Sequence, residues 1–462
     1  GEPSTIRIQA YVAVPPGQYP RHSKPAVIYA HGLGGQADRS TVIELCRNLD
    51  VVAVSLSGPG LGASQGSALT PTEPGLLFVG QDDIRRNWLY AYVFAILRTI
   101  TFGDLCRRPS IVGGHMFSLF RKTQLHSFGE VINRWRFWWM SPLTVENDWD
   151  FAARNLRSTR WLHRRIDADF NPWFFCLIPT EVVKEIGLGL PLFIKWDDSE
   201  YGVRAQAAGF PTISMPGAAV WHVPWTDKND ALDWQAYFHQ RNRFVAALLH
   251  SPFPRGGRMV RESLNHTAVH LLSMHYSTVE LRLKALEDVL AGPHRLHPDL
   301  VTKLPEVRAL RSDFADAQTK SDPDAFPPVR RAKPRKRAFS HELIGRGAQL
   351  TAAAKGAVRQ FLPVRPMSRE FPEAEIMAQD SFWWTMAAQD SAIYSMPDGT
   401  SAAFVKRDPE LFKSLSARAL QLHKQILQEW PQLSQQYKAA LGEITSPQTW
   451  ATTFGVDHEA DA

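Results

Sequence analysis

Two adjacent carboxylates, Asp197 and Asp198, follow Phe193-Ile194-Lys195-Trp196 and precede Ser199-Glu200-Tyr201-Gly202. The residues before them read as the end of a strand and those after them as the start of a helix. Ligands collect at such places in α/β sheets. A carboxylate there can take a proton from an attacking hydroxyl, the step that an inverting sugar transfer requires. Such a transfer also needs positive charge beside the departing diphosphate, commonly a hard divalent cation. A plainer reading has Asp198 as a helix N-cap and Asp197 as a surface charge.

Three further clusters could carry chemistry. In Ala219-Val220-Trp221-His222-Val223-Pro224-Trp225 the histidine falls at a strand end, where it is a metal ligand, a base or a satisfied structural residue. Asn171-Pro172-Trp173-Phe174-Phe175-Cys176 is an aromatic ledge, suited to sugar stacking or to core packing. Gln81-Asp82-Asp83-Ile84-Arg85 follows the apolar Leu76-Leu77-Phe78-Val79. Adjacent acids after a strand can hold a metal that bridges a nucleotide diphosphate. They are also common on protein surfaces.

The elements that must position these groups alternate. Ala26 to Ala30 and Val51 to Leu56 read as buried parallel strands around a helical Thr41 to Asn48, a βαβ unit. A helix is expected from Asp198 to Ala208 with Gly209 as its stop, then strands at Thr212 to Met215 and Ala218 to Trp221. Asp230 to His250 reads as a long helix whose apolar face includes Leu232, Tyr237, Phe244 and Leu248. Beyond it the pattern is mainly helical, with Ser277 to Leu290 and Pro409 to Leu441 on either side of a Pro-rich basic stretch at 320–340. The expected organisation is 1–75, an N-terminal segment; 76–252, a core carrying the acceptor and metal side; and 253–462, a mainly helical domain. No internal repeat is visible.

Composition sets bounds on this picture. Hydrophobic residues at 44% and charged residues at 21% of 462 are ordinary for a globular chain, and 15 Trp favour flat apolar surfaces. Cys46, Cys106 and Cys176 form no Cys-x-x-Cys pair, which argues against a disulfide framework or zinc site and fits a reducing compartment. The first residues lack a signal-peptide pattern, and the longest apolar run, Trp88 to Phe102, is interrupted by Arg98 and too short to span a bilayer. A cytoplasmic or peripherally attached protein is therefore expected. The net charge of +6 is concentrated in Arg330-Arg331-Ala332-Lys333-Pro334-Arg335-Lys336-Arg337, a solvated linker or a contact for anionic headgroups. Nothing else points to nucleic acid.

Taken in order, the clusters resemble the polymerising galactofuranosyltransferases of bacterial cell-wall galactan, GT-A enzymes of glycosyltransferase family 2. The resemblance runs from about Ile111 to the C-terminus. It rests on Val112-Gly113-Gly114-His115-Met116, Leu125-His126-Ser127-Phe128-Gly129-Glu130-Val131, Trp161 to Asp167, Leu192 to Gly202, Pro216 to His222 and Asp233 to His239. It implies an α/β fold with a GT-A-like, Rossmann-related mixed sheet and a helical C-terminal domain. It implies Asp198 as catalytic base, Asp197 as its partner in holding the acceptor, and His222 as a metal ligand. Trp173, Phe174, His126, Trp139 and Trp225 would line the acceptor channel, with His239 close by; Phe174 stands where such enzymes carry Trp. It further implies Mg²⁺ or Mn²⁺, UDP-galactofuranose as donor, a lipid-linked galactan as acceptor, work at the cytoplasmic face of the plasma membrane, and assembly as tetramers.

The N-terminal third departs from that family. Pro25 to Gly66 is similar to the start of an α/β-hydrolase, with His31-Gly32-Leu33-Gly34-Gly35 resembling an oxyanion loop and Gly58-Pro59-Gly60-Leu61-Gly62 the turn after the next strand; Asn87 to Val93 is similar too. No Gly-x-Ser-x-Gly elbow accompanies it, although Ser57 and Ser64 lie among glycines. Against the transferase pattern of three acids, Gln81 stands at the first metal ligand and Asp83 at the third. The expected function is inverting galactofuranosyl transfer. The alternatives are a non-catalytic mosaic that keeps the acceptor and assembly half, and an esterase.

Overall fold

The computed structural model describes residues 99–100, 102–103, 105–142, 148–225, 228, 230–330, 345–397 and 399–455, with the strands at 10–13, 26–29 and 52–56. Packing divides the chain into residues 1–105 with Gly217–Ala219, and Cys106–Pro216 with Val220–Ala462. In the first unit β1 (Ala10–Ala13) runs antiparallel to β3 (Val52–Leu56), and β3 runs parallel to β2 (Ala26–Tyr29). The parallel pair agrees with the expected βαβ strands. The helix between them, the hydrolase-like glycine loops, the serines at 57 and 64, the apolar run at 76–79, Gln81 and Asp83 lie outside the described residues.

In the second unit β4 (Ile111–Ser118) is central and almost wholly buried. It sits between β5 (Gln124–Ser127), across a hairpin, and β11 (Thr212–His222). A separate hairpin pairs β6 (Val131–Asn133) with β7 (Trp138–Met140). The strands β8 (Trp149–Asp150) and β9 (Ile166–Ala168) extend the central sheet to the order β8-β5-β4-β11-β9, and β10 (Cys176–Leu177) also pairs with β4. The fold is α/β, a GT-A-like mixed sheet followed by a helical region. The two strands expected at 212–215 and 218–221 are one continuous strand that carries Gly217 at φ +83°.

The α-helices described in the second unit are α1 (Thr180–Ile186), α2 (Asp197–Ala207), α3 (Gln235–His250), α4 (Met259–Leu272), α5 (Tyr276–Leu290), α6 (Leu296–Ser312), α7 (Arg346–Arg359), α8 (Pro366–Glu370), α9 (Trp383–Met386), α10 (Pro409–Ile444) and α11 (Pro447–Phe454). At 36 residues α10 is about 54 Å long. Asp408 caps it by accepting from the amides of Glu410 and Leu411, and Pro409 fits the first helical position. Its buried stripe Leu415, Ala419, Leu422, Ile426, Trp430, Leu433 and Tyr437 repeats every three or four residues, which lays one face against α3, α4 and α5.

This half is mainly helical, as expected, with two added features. The mainly helical region contains a four-stranded sheet, β12 (Thr319–Lys320), β13 (Glu375–Ile376), β14 (Ser391–Ser395) and β15 (Ala402–Lys406), ordered β12-β15-β14-β13. A single apolar core also joins Ile132, Phe137, Leu192 and Trp196 to α3, α4, α5, α10 and this small sheet, so residue 252 is no packing boundary. Of the basic patch, Arg330 is described: its guanidinium lies over the Phe371 ring at 4.2 Å.

Candidate active site

The Asp197–Asp198 pair is delivered by a contorted segment rather than by the expected strand. Phe193, Lys195 and Trp196 have φ of +69°, +66° and +68°. Each such non-glycine residue costs about 1–2 kcal/mol, a cost carried only where the surroundings over-determine the backbone. Trp196 occupies the N-cap position with no side-chain cap, so both aspartates lie inside the first turn of α2 and Asp198 is not the cap that one reading assigned. Negative charge is favourable there because the first turn leaves amide N–H groups unpaired. The helix ends at Ala207 with Gly209 at φ +91° as the stop.

Asp198 is half-buried. Its carboxylate accepts from the Ser199 amide at 2.6 Å and from the Trp173 amide. Burial, then the charge of Asp197, raises its pKa to about 7 despite those hydrogen bonds. Burial also raises Asp197, against the pull of Lys195, which is itself ion-paired with Asp230. The third acid of the run, Glu200, has another task. It is fully buried, bonded to Arg204 and to His250 at 2.9 Å, and held down at about 2 because those partners outweigh its desolvation. Arg204 in turn donates to Leu188 O at 3.0 Å, locking α2 to the loop after α1.

Several predicted acceptor residues gather around this turn. The Trp139 indole donates to Ser199 Oγ at 3.2 Å and stacks on His239 at 5.2 Å. The Trp196 indole donates to His239 Nδ1 at 2.9 Å. The Trp173 ring is exposed and meets Tyr201 edge-on at 5.7 Å, and Phe174 follows it, half-buried, in the same turn. Trp139 and His239 thus hold the residues on either side of the aspartates, Ser199 and Trp196, and the Trp173 amide bonds Asp198 itself.

His126 and Trp225 form a pair of their own. His126 Nδ1 lies 2.7 Å from Asp148, its Nε2 accepts from the Trp225 amide at 3.2 Å, and the two rings lie 4.8 Å apart. Both nitrogens of the buried His126 are engaged, so it braces the half-exposed Trp225 instead of offering a free edge.

His222 ends β11, exposed, with Nδ1 2.8 Å from Val223 O. That bond places the proton on Nδ1 and leaves the Nε2 lone pair outward, the arrangement of a metal-ligating imidazole. His222 therefore fits a divalent cation as one ligand. Among the described residues no three His, Cys, Asp or Glu side chains converge on a cation position.

The structure adds a third carboxyl group. Glu130 is fully buried, accepts from Ser127 Oγ at 3.0 Å, and is raised to about 8 by burial and by the charge of Asp198. Its backbone exchanges hydrogen bonds with Asp169 and Phe170. Gly202, one turn after Asp198, lets α2 close on that segment: a Cβ there would lie 2.5 Å from Phe170 Cβ. The sequence signal for Glu130 is an acid directly behind Gly129, which has φ +63°.

Residues 110–247 match the glycosyltransferase like family 2, and residues 259–456 match galactofuranosyltransferase-2, domain 3. The chain is 37% identical over 407 residues to the galactofuranosyltransferase GlfT2 of Mycolicibacterium smegmatis, covering 86% of this chain and 62% of that protein. It is 36% identical over 409 residues to GlfT2 of Mycobacterium tuberculosis, covering 86% and 63%. The chain spans less than two thirds of the length of these relatives.

Proposed function

Because its two matched segments belong to the family 2 glycosyltransferases and to the galactofuranosyltransferase-2 third domain, we propose that this chain is an inverting galactofuranosyltransferase acting on UDP-galactofuranose and a growing galactan. The supporting observation is the half-buried Asp197–Asp198 pair on the first turn of α2, with the Trp173 amide on Asp198 and with Trp139 and His239 bonded to the flanking Ser199 and Trp196.

Asp198, when ionised, takes the proton of the acceptor hydroxyl. The freed oxygen pair bonds to the anomeric carbon, the bond from that carbon to the diphosphate oxygen breaks, and UDP leaves with its electrons. Asp197 orients acceptor hydroxyls, and the indole faces of Trp173 and Trp139, with Trp225 and Phe174 further out, hold sugar rings. Glu130 keeps the floor of the site neutral near pH 7, because its raised pKa favours the protonated acid. Mg²⁺ or Mn²⁺, held by His222 with Asp83 and Gln81, would supply positive charge for the departing diphosphate. The acceptor is lipid-linked, the protein works peripherally at the cytoplasmic face of the plasma membrane, and it assembles as a homo-oligomer such as a tetramer. Among the described residues no helix is long and apolar enough to cross a membrane.

The test is UDP release from UDP-galactofuranose in the presence of a short galactofuranose acceptor and Mn²⁺. Turnover that disappears in Asp198→Asn supports the proposal. No release and no donor binding by calorimetry would leave a glycan-binding mosaic instead, and acyl-ester hydrolysis that survives the substitution would point to the hydrolase-like N-terminal segment.

A further inference from the structure

The strained segment before the aspartates lies on α3, and a single side chain there meets most of its carbonyl groups. Asn242 is fully buried. Its Nδ2 donates to Leu192 O at 3.0 Å, Ile194 O at 2.8 Å and Lys195 O at 2.9 Å. The amide orientation is fixed independently, because Arg241 Nε donates to Asn242 Oδ1 at 2.8 Å. Arg241 Nη2 reaches Leu192 O at 3.2 Å as well. An amide has two N–H donors, so three accepted bonds require one to be shared. Each of those carbonyls belongs to the peptide group just before a positive-φ residue, Phe193, Lys195 or Trp196.

The geometry points to Asn242 as a positioning residue for the Asp197–Asp198 pair, an inference that rests on the sugar-transfer function proposed above. By collecting the carbonyls of Leu192, Ile194 and Lys195, it holds the backbone that sets where both carboxylates begin their helix. It touches neither reacting group and acts through the segment. Ordinary core packing does not require this arrangement, since an apolar side chain of the same volume would fill the space while leaving three carbonyls without that donor. The remaining support replaces it at Leu192 O alone, which also accepts from Arg241 Nη2 and the Ile194 amide; Trp196 is tied to His239 one residue further on, beyond the pinned carbonyls.

The experiment uses the full chain with two substitutions. Asn242→Asp keeps the shape but replaces the donor by an acceptor facing three carbonyls. Asn242→Ser keeps one donor and serves if the first variant fails to fold. Hydrogen exchange of amides 190–200 and steady-state UDP release are both measured. Expected are exchange at least tenfold faster, confined to 190–200, and kcat at least 100-fold lower with the donor KM within threefold of the parent; Asn242→Ser falls between. Unchanged exchange in 190–200 overturns the inference, and so does faster exchange with unaltered kcat. If the parent releases no UDP, the functional proposal fails, while the exchange measurement alone decides whether Asn242 holds the segment.

Discussion

The indole N–H of Trp196 donates to Nδ1 of His239 across 2.9 Å, and burial lowers the pKa of that imidazole to about 3. His239 is therefore neutral, with its proton on Nε2. Trp196 is fully buried, so its N–H has no recourse to water. Replacing His239 by Phe keeps the stack with Trp139 but strands that donor, and should cost about 1–3 kcal/mol of stability. His239→Gln, which restores an acceptor, should recover part of it. Urea unfolding of the two variants measures the difference.

Turnover should depend on pH through Asp198, whose pKa is raised to about 7. In the proposed mechanism the base works ionised, so kcat should fall as pH drops through about 7, with the loss on the acidic side. The stability effect has the opposite sign. A carboxyl raised in the folded state favours folding while protonated and loses that contribution as pH rises from its unfolded value through about 7. Asp198→Asn should accordingly raise Tm at pH 8 more than at pH 4.5 while abolishing turnover, which thermal melts at the two pH values would record.

Acid should unfold the protein well above the range where most carboxylates titrate. His115, His266, His275 and His423 are all lowered by burial to about 4. Groups lowered in this way stabilise the fold above the unfolded value of 6.5, and that contribution disappears as pH falls towards 4. Urea midpoints measured from pH 7 down to 4.5 should decline steadily, with proton uptake on unfolding.

Glu200 is a structural acid within the candidate catalytic stretch. Removing it by Glu200→Ala leaves the buried Arg204 facing His250 without its carboxylate and should cost about 3–5 kcal/mol. Denaturant unfolding would show the loss. The same change should lower activity only as far as folded protein is lost.

Gly202→Ala tests the closeness of α2 to the segment carrying Asp169 and Phe170. In an exposed helix this change stabilises by about 1 kcal/mol. Here the new Cβ would lie 2.6 Å from Asp169 O and 2.5 Å from Phe170 Cβ, so the helix must shift. A loss of about 1–3 kcal/mol and a fall in kcat are expected, as for other overpacked sites. Thermal unfolding and UDP release report the two effects.

Much of the site was legible because its chemistry is local in the chain. The Asp197–Asp198 pair, the helix stop at Gly209 and the aromatic ledge at Trp173 stand in short runs that can be read directly, whereas Trp139 came only with the family resemblance. What escaped depends on distant partners. Nothing near Glu200 marks it as the mate of His250, fifty residues away, and nothing near Phe193 announces three left-handed backbone positions that α3 stabilises. Expecting a strand there followed from hydrophobicity, which does not encode φ. In the small sheet β12 and β13 escaped because they are two residues long, below the length at which alternation can be read.

At the far end of α10 the chain returns to the loop that precedes the strained segment. The Leu188 amide donates to Thr445 O at 2.8 Å, and the Trp450 indole donates to Gly189 O at 3.0 Å. Gly187, at φ +79°, sits so close to Thr445 that a Cβ would come within 2.8 Å. The last helical turns are thus an abutment for the loop that leads to the Asp197–Asp198 pair, and a gene trimmed to stop near residue 440, or cut at 252 to isolate a minimal fragment, would deprive that loop of its footing.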